Sequence, residues 1–284
     1  MIRHNVLGRI SSIHDDLPNA EKKISEVILA SPEEAVNMTA SELGKAAGSS
    51  AATVIRLCKR IGIPSFTQLK VLISGEIKQT NTMGYSDIKK NEHTEDIMDK
   101  LLGNAFQSMQ DTISILDRTR LNQAIEALEK AQVIYVFGIG ASHLVAQNIA
   151  QKWSRIGKTC ICTADAHNLV AAFAIKNKHA VFIGISNSGE TKEISKLIDI
   201  ANDSGYTTIS LTRFGDNEIS SKSAIPLNTV RANEEELRSA ATSSLHAQFI
   251  VVDVLFFIYA SRNYNSVMKS IQQSRSQIET YAQD

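Results

Sequence analysis

The sequence predicts two domains of different class: an all-α N-terminal domain over residues 1–78, a linker over 79–93, and an α/β domain over 94–284. The second domain is expected to hold a five-stranded parallel sheet flanked by helices. Three observations predict this. Every convincing segment before residue 79 has a helical period, the stretch 79–93 is polar and aperiodic, and after residue 130 short β-rich runs alternate with helical patterns. A length of 284 residues suits two compact units. With 43% hydrophobic residues, 21% charged residues and 4 prolines, the composition is globular rather than disordered or collagen-like. Lys+Arg and Asp+Glu are equal at 30 each, so a nucleic-acid or membrane partner must be argued from local charge. The start lacks a long apolar core, and the apolar run 249–260 is broken by Asp253 and falls short of the roughly 20 residues of a spanning helix. A cytoplasmic protein with no membrane partner is expected. Cys58, Cys160 and Cys162 are odd in number, and the last two are too close for a structural bridge, so reduced thiols are expected.

In the N-terminal domain, a helix opens at Asn19 or Ala20, carries Ile24, Val27 and Ile28, and ends before Ser31-Pro32. Thr39-Ala-Ser-Glu42 is a capping box, in which hydroxyl and carboxylate satisfy each other's orphan amides at the start of a helix running to Ala47. Gly48 ends that helix, Ser49 or Ser50 caps the next, and Gly62 closes it after Ile61. In this second helix Val54, Leu57, Cys58 and Ile61 share one side, while Ala52, Thr53, Arg56, Lys59 and Arg60 share the other. From Leu43 to Gly75 there are five basic residues (Lys45, Arg56, Lys59, Arg60 and Lys70) and no acidic one. Helix, tight turn and helix with small residues at its start match helix-turn-helix geometry. Ser49, Ser50, Ala52 and Thr53 would face base edges or nearby phosphates, Arg56 would fork onto a guanine or a phosphate, and Lys59, Arg60 and Lys70 would hold the backbone of double-stranded DNA. A solvated hairpin with a basic face has the same pattern.

In the second domain two long helical patterns, 94–116 and 121–131, lead into the continuous apolar run 133–137, as in a buried parallel strand. Runs at 158–163, 180–185, 207–211 and 224–227 supply four more strands. In such a sheet, ligands bind at the carboxyl ends of strands. Two of those ends carry unusual loops. Gly138-Ile-Gly140-Ala-Ser142 lets backbone approach a ligand, and Ser142 is placed to cap the following helix. A third glycine of a dinucleotide fingerprint would fall at His143, which disfavours NAD. The second loop, Ser186-Asn-Ser188-Gly189-Glu-Thr191, gathers hydroxyls and a glycine where a helix begins, a cradle for an anion such as phosphate. A capped turn would look similar. No P-loop is present, so ATP hydrolysis has no support.

These two loops resemble those of the sugar isomerase (SIS) domain, a phosphosugar-binding α/β unit. Residues 41–70 resemble the helix-turn-helix of the RpiR family of bacterial transcription regulators, including the Phe66 and Leu69 segment after the second helix. The resemblance implies a ligand-controlled regulator of sugar catabolism genes, read here as a repressor, that assembles as a homodimer or homotetramer and binds palindromic operators. It also implies that Ser142, Ser186, Ser188 and Thr191 hold a phosphate, with Gly138, Gly140 and Gly189 shaping the loops. The tract from Asn233 through Arg238 to Ser244 and the Asp165-Ala-His167 segment resemble the MurR-type branch, which senses N-acetylmuramic acid 6-phosphate; Glu234 would then meet a sugar hydroxyl or amide.

SIS domains also occur in isomerases, which need a general base and a group that assists ring opening. Glu234, His167 and His246 qualify by residue type, so a phosphosugar isomerase is the alternative. A helix histidine such as His246 is more often packed or solvated, and Glu234-Glu-Glu236 reads first as a solvated helix start. No catalytic residue is therefore assigned. No metal site or cofactor is expected either, because Cys160-x-Cys162 alternates along a strand and Asp165-x-His167 has no partner cluster.

Overall fold

A computed structural model describes residues 6–77, 91–231 and 241–282. By contacts the chain forms two compact units. Among the described residues, the first comprises 6–77 and 91–115 together with 214–216, 230–231 and 241–244, and the second holds the remainder. By contacts the helix at 94–115 groups with the N-terminal unit.

The first unit contains α1 (Val6–Ile13), α2 (Asn19–Ala30), α3 (Pro32–Ala35), α4 (Ala40–Ala46), α5 (Ala51–Arg60), α6 (Phe66–Ile77) and α7 (Thr94–Ile115). The capping box forms as the spacing predicts. Thr39 N–H donates to Glu42 Oε2 at 2.7 Å, and Glu42 N–H donates to Thr39 Oγ1 at 3.2 Å. Gly48 at φ +58° turns the chain between α4 and α5, and Ser50 caps α5 by accepting from Thr53 N–H at 3.3 Å. Ile10, Ile24, Ile28, Leu43, Val54, Leu57, Cys58, Ile61 and Leu69 bury themselves in one core, which holds α4 and α5 by their apolar sides. Thr53 departs from the helical-wheel expectation: it is 2% exposed. Three residues beyond its cap, it is buried with Val54 and Leu57, and its hydroxyl accepts from the Arg56 guanidinium.

The second unit runs through α8 (Arg118–Lys130), β1 (Val133–Gly138), α9 (Ala141–Arg155), β2 (Thr159–Cys162), α10 (Ala166–Phe173), β3 (Ala180–Ile185), α11 (Lys192–Asp203), β4 (Thr207–Arg213), α12 (Glu218–Lys222) and β5 (Ile225–Thr229). It closes with α13 (Ser243–Arg262) and α14 (Tyr264–Tyr281). α8 begins three residues before the expected start because the Asp117 carboxylate accepts from Thr119 and Arg120 N–H. All five strands are parallel, in the order β2-β1-β3-β4-β5. Side chains of Ile134, Val136, Ile183, Ile209 and Trp153 form the core of one layer, and Phe137, Phe173, Phe182 and Ile198 that of the other. α13 is long and apolar enough, by length and composition, to cross a membrane. Within the second unit Val251, Val252, Leu255 and Tyr259 bury its inner stripe in the sheet core, and Asp253 receives Lys152 Nζ at 2.5 Å.

Leu57 is fully buried at the junction of α5 with its neighbours. Leu57→Ala is expected to lower the unfolding free energy of the N-terminal unit by about 2–5 kcal/mol. Urea denaturation followed by circular dichroism checks this, and an unchanged midpoint would contradict the core assignment.

Candidate functional site

The strand order places a topological switch between β1 and β3, because the chain leaves β1 toward β2 on one side and leaves β3 toward β4 on the other. Loops that follow strands at such a point diverge and leave a crevice at the carboxyl ends. The loops there are the two singled out by sequence.

After β1, Gly138 is buried, and a Cβ on it would lie 2.5 Å from Ser142 O. Only glycine allows α9 to start so close beneath the strand. Gly140 at φ +59° is the residue before α9 and makes no side-chain cap. Ser142 therefore does not cap the helix, contrary to the sequence expectation. It sits inside the first turn, 8% exposed. The positive end of α9 is left without a side-chain cap.

After β3, Ser186 Oγ lies 2.8 Å from Thr191 Oγ1 and 3.4 Å from Ser188 Oγ, so three hydroxyls gather in one turn. Gly189 N–H donates to Ser186 Oγ at 3.1 Å, and Glu190 N–H donates to Ser188 Oγ at 3.2 Å. Thr191 is the N-cap of α11 by backbone, but its hydroxyl makes no capping bond. Two helix starts and a cluster of rotatable hydroxyls can donate to an anion without a fixed cation.

Asn217 is a residue that sequence reasoning missed. It caps α12 by accepting from Ser220 N–H at 2.9 Å, and its amide donates to Thr212 Oγ1 and Arg213 O, both at 3.3 Å. Gly189, at φ +76°, presses against it; a Cβ there would lie 2.2 Å from Asn217 Oδ1. Asn187 Oδ1 and His143 Nδ1 are buried atoms without a hydrogen-bond partner, one in the Ser186–Thr191 turn and one in the first turn of α9. Asn187 stands inside the second motif and His143 one residue past the first, yet their side chains carried no spacing signal.

Asp165, at the carboxyl end of β2, caps α10 by accepting from His167 N–H at 2.9 Å, and this bond holds its carboxyl below the usual carboxylate range. His167 Nδ1 lies 3.2 Å from the same carboxylate, and its side chain is 97% exposed. Among the described residues no hydrogen bond joins His167 to His246, and Glu234 lies outside the described residues. Burial pushes the Cys160 thiol up to about 12 and the Cys58 thiol up to about 11, which disfavours thiolate chemistry at both. No group of three His, Cys, Asp or Glu that could hold a metal ion occurs among the described residues.

In the first unit, Ser50, Ala52, Arg56 and Lys59 are exposed along α5, with Ser49 half-buried at its start. Arg56 Nη2 donates to Thr53 Oγ1 at 2.9 Å, so Thr53 orients a guanidinium rather than facing outward. Arg60 Nε donates to the buried Glu21 carboxylate at 2.8 Å, and Lys70 Nζ donates to Met38 O at 3.0 Å. These two cations are tied to the helical framework, while Arg56 and Lys59 stand on the open side.

A helix-turn-helix with an exposed basic side, joined in one chain to a doubly wound sheet, defines a class of transcription regulator. Residues 4–80 match the helix-turn-helix domain of the rpiR family, and residues 127–258 match the SIS domain. The chain is 39% identical over 274 residues to the HTH-type transcriptional regulator YbbH of Bacillus subtilis, covering 96% of this chain and 97% of that one. Vibrio vulnificus NanR, solved with ManNAc-6P, aligns with a TM-score of 0.61 at 25% identity, covering 98% of this chain and 99% of NanR. A phosphoheptose isomerase from Francisella tularensis shares the fold, with a TM-score of 0.50 at 20% identity, over 60% of this chain and all (100%) of that one. The chain belongs to the rpiR family of HTH-type transcriptional regulators, with a SIS domain as its second module.

Gly189→Ala is expected to strain the backbone and drive a methyl into Asn217, lowering the thermal midpoint of the second unit. Differential scanning calorimetry checks it; a midpoint equal to wild type would show that the turn does not need the left-handed geometry.

Proposed function

We propose that the protein is a cytoplasmic repressor of sugar catabolism genes that binds operator DNA through α5 and releases it on binding a phosphorylated N-acetyl amino sugar. The observation that carries this reading is the hydroxyl cluster of Ser186, Ser188 and Thr191 on a loop that leaves the sheet at its switch point. Phosphate would accept from these hydroxyls, from Ser142, and from amides at the starts of α9 and α11. Gly138, Gly140 and Gly189 shape the cradle, and Glu234 is assigned to the sugar ring, as the sequence resemblance implies. The ManNAc-6P complex of NanR supports this ligand class, and N-acetylmuramic acid 6-phosphate is the other ester to test.

On the DNA side, Ser49, Ser50 and Arg56 would approach bases or adjacent phosphates, with Lys59 on the backbone. Arg60 and Lys70 would approach phosphates only from their bonds to Glu21 and Met38. Thr53 acts on DNA only through Arg56. The regulatory names of the full-length relatives favour sensing over turnover.

Palindromic operators need a symmetric protein. On α7, Met98, Leu102 and Phe106 recur every fourth residue and are 65%, 71% and 61% exposed, a stripe that supports assembly as a homodimer. Leu102→Asp is expected to shift the protein to monomer in light scattering; an unaltered mass would remove this stripe from the interface.

The functional reading is tested by two variants against one panel of hexose and amino-sugar phosphates. Arg56→Ala should weaken operator binding by about 1–3 kcal/mol while sparing ester binding. Ser188→Ala should leave operator affinity intact and abolish the response to the ester. A Ser188→Ala protein that responds normally would refute the cradle, and turnover of any ester by wild type would favour the isomerase alternative.

A further inference from the structure

Buried side-chain atoms that lack a hydrogen-bond partner among the described residues are concentrated at one end of the second unit. Asn187 Oδ1 lies in the serine turn after β3, His143 Nδ1 in the first turn of α9, and Thr229 Oγ1 on the last residue of β5. Two more, His246 Nδ1 and Gln248 Nε2, lie in the first two turns of α13. Trp153 Nε1, near the far end of α9, is the exception within this unit.

α13 runs from the carboxyl ends of the strands toward their amino ends. Asn263, just past it, donates from Nδ2 to Glu129 Oε1 at 2.9 Å, and Lys158 Nζ lies 5.9 Å from the Tyr259 ring centroid. Glu129 and Lys158 stand just before β1 and β2, so this end of the helix marks the amino ends. Gln248 stands 11 residues before Tyr259, about 16 Å along the helix, which matches the length of a five-residue strand such as β5. It is therefore level with the carboxyl ends.

Gln248 also faces the sheet. Val251, Val252, Leu255 and Tyr259 form the buried stripe of α13, and Gln248 continues that stripe at helical spacing, 2% exposed. Thr229 is fully buried and shares the layer, because it follows Ile225 and Leu227 in the alternation of β5, and both of those pack in the same core as the stripe. An amide donor and a hydroxyl buried without partners cost the fold free energy unless a further group meets them.

We propose that Gln248, Thr229 and Asn187 read the acylamino group of the ester whose phosphate the serine turn holds. This rests on the reading of that turn as the phosphate cradle. An acylamino group offers one N–H donor and one carbonyl acceptor. Gln248 Nε2 donates to the carbonyl oxygen, Asn187 Oδ1 accepts from the N–H, and the Thr229 hydroxyl, free to rotate, donates or accepts beside them. A hydroxyl in place of the acylamino group is too short to meet both amides, so one of them stays buried and unpaired when the wrong sugar binds. The phosphate contributes equally to both esters. Discrimination therefore rests on the sheet-facing side of α13.

The test is isothermal titration of the full chain with two pairs of esters that differ only at C2. One pair is N-acetylmannosamine 6-phosphate and mannose 6-phosphate; the other is N-acetylglucosamine 6-phosphate and glucose 6-phosphate. Wild type is expected to bind the acetamido member of at least one pair at least about 30-fold more tightly than its hydroxyl counterpart. Gln248→Met, which keeps the length of the side chain without its amide, should reduce this ratio to below about threefold, and Thr229→Val should at least roughly halve it. Ester-free Gln248→Met should melt at or above the wild-type midpoint, because it removes an unpartnered buried donor, whereas a glutamine with a structural partner would give a lower one. An undiminished ratio in Gln248→Met, or a lowered midpoint, would overturn the subsite; an undiminished ratio in Thr229→Val would remove Thr229 from it. If wild type binds both members of each pair equally, the acylamino subsite falls and the phosphate cradle stands. If no ester binds, the sensing reading fails and the subsite fails with it.

Discussion

The strand order β2-β1-β3-β4-β5 is the constraint on which the rest depends. Reversal of winding between β1 and β3 forces the two following loops apart, so a crevice opens without any residue being spent on it. What the sequence adds is close approach. Gly138 lets α9 begin directly beneath its strand, and Gly189 lets the serine turn rest on Asn217. Both helix starts and the hydroxyls of Ser186, Ser188 and Thr191 then concentrate donors in one place. An anion bound there needs no buried lysine, which spares the fold the cost of an unpaired buried charge when the site is empty.

The helical unit solves a different problem. It must hold α5 rigidly by one side while leaving the other open, and the division of burial does this: Val54, Leu57 and Cys58 are fully buried. Cations on the open side divide in turn. Glu21 binds Arg60, and Met38 O receives Lys70, whereas among the described residues Arg56 is steadied only by the hydroxyl of Thr53. An arginine ordered by one short bond keeps its remaining donors for a partner, at less entropic cost than a free side chain.

Local features were legible in the sequence and distant ones were not. The Thr39–Glu42 capping box, the Gly48 turn and strands β1 and β3 follow from neighbouring residues, and the structure places them at the expected positions. β4 runs on to Arg213, beyond the apolar run, because Thr212 and Arg213 pair with Asn228 and Thr229 across the sheet. The cap of α9 was misread because Gly140, not Ser142, turns the chain, and Thr53 was misplaced because a helical wheel cannot tell a small polar residue at the margin from one that packs. The serine cradle was visible as a run of hydroxyls. Its support was not: Asn217 meets Gly189 across 28 positions of chain, and Arg60 meets Glu21 across 39, so no spacing rule reaches them.

The central claim is that one equilibrium links ester binding at the sheet edge to DNA binding at α5, and such a link is reciprocal. Isothermal titration of N-acetylmannosamine 6-phosphate and N-acetylmuramic acid 6-phosphate into the protein, alone and saturated with its operator duplex, tests it most directly. The account predicts that DNA weakens ester binding by the same factor by which the ester weakens DNA binding. Equal ester affinity in both states, together with measurable ester binding, would contradict it.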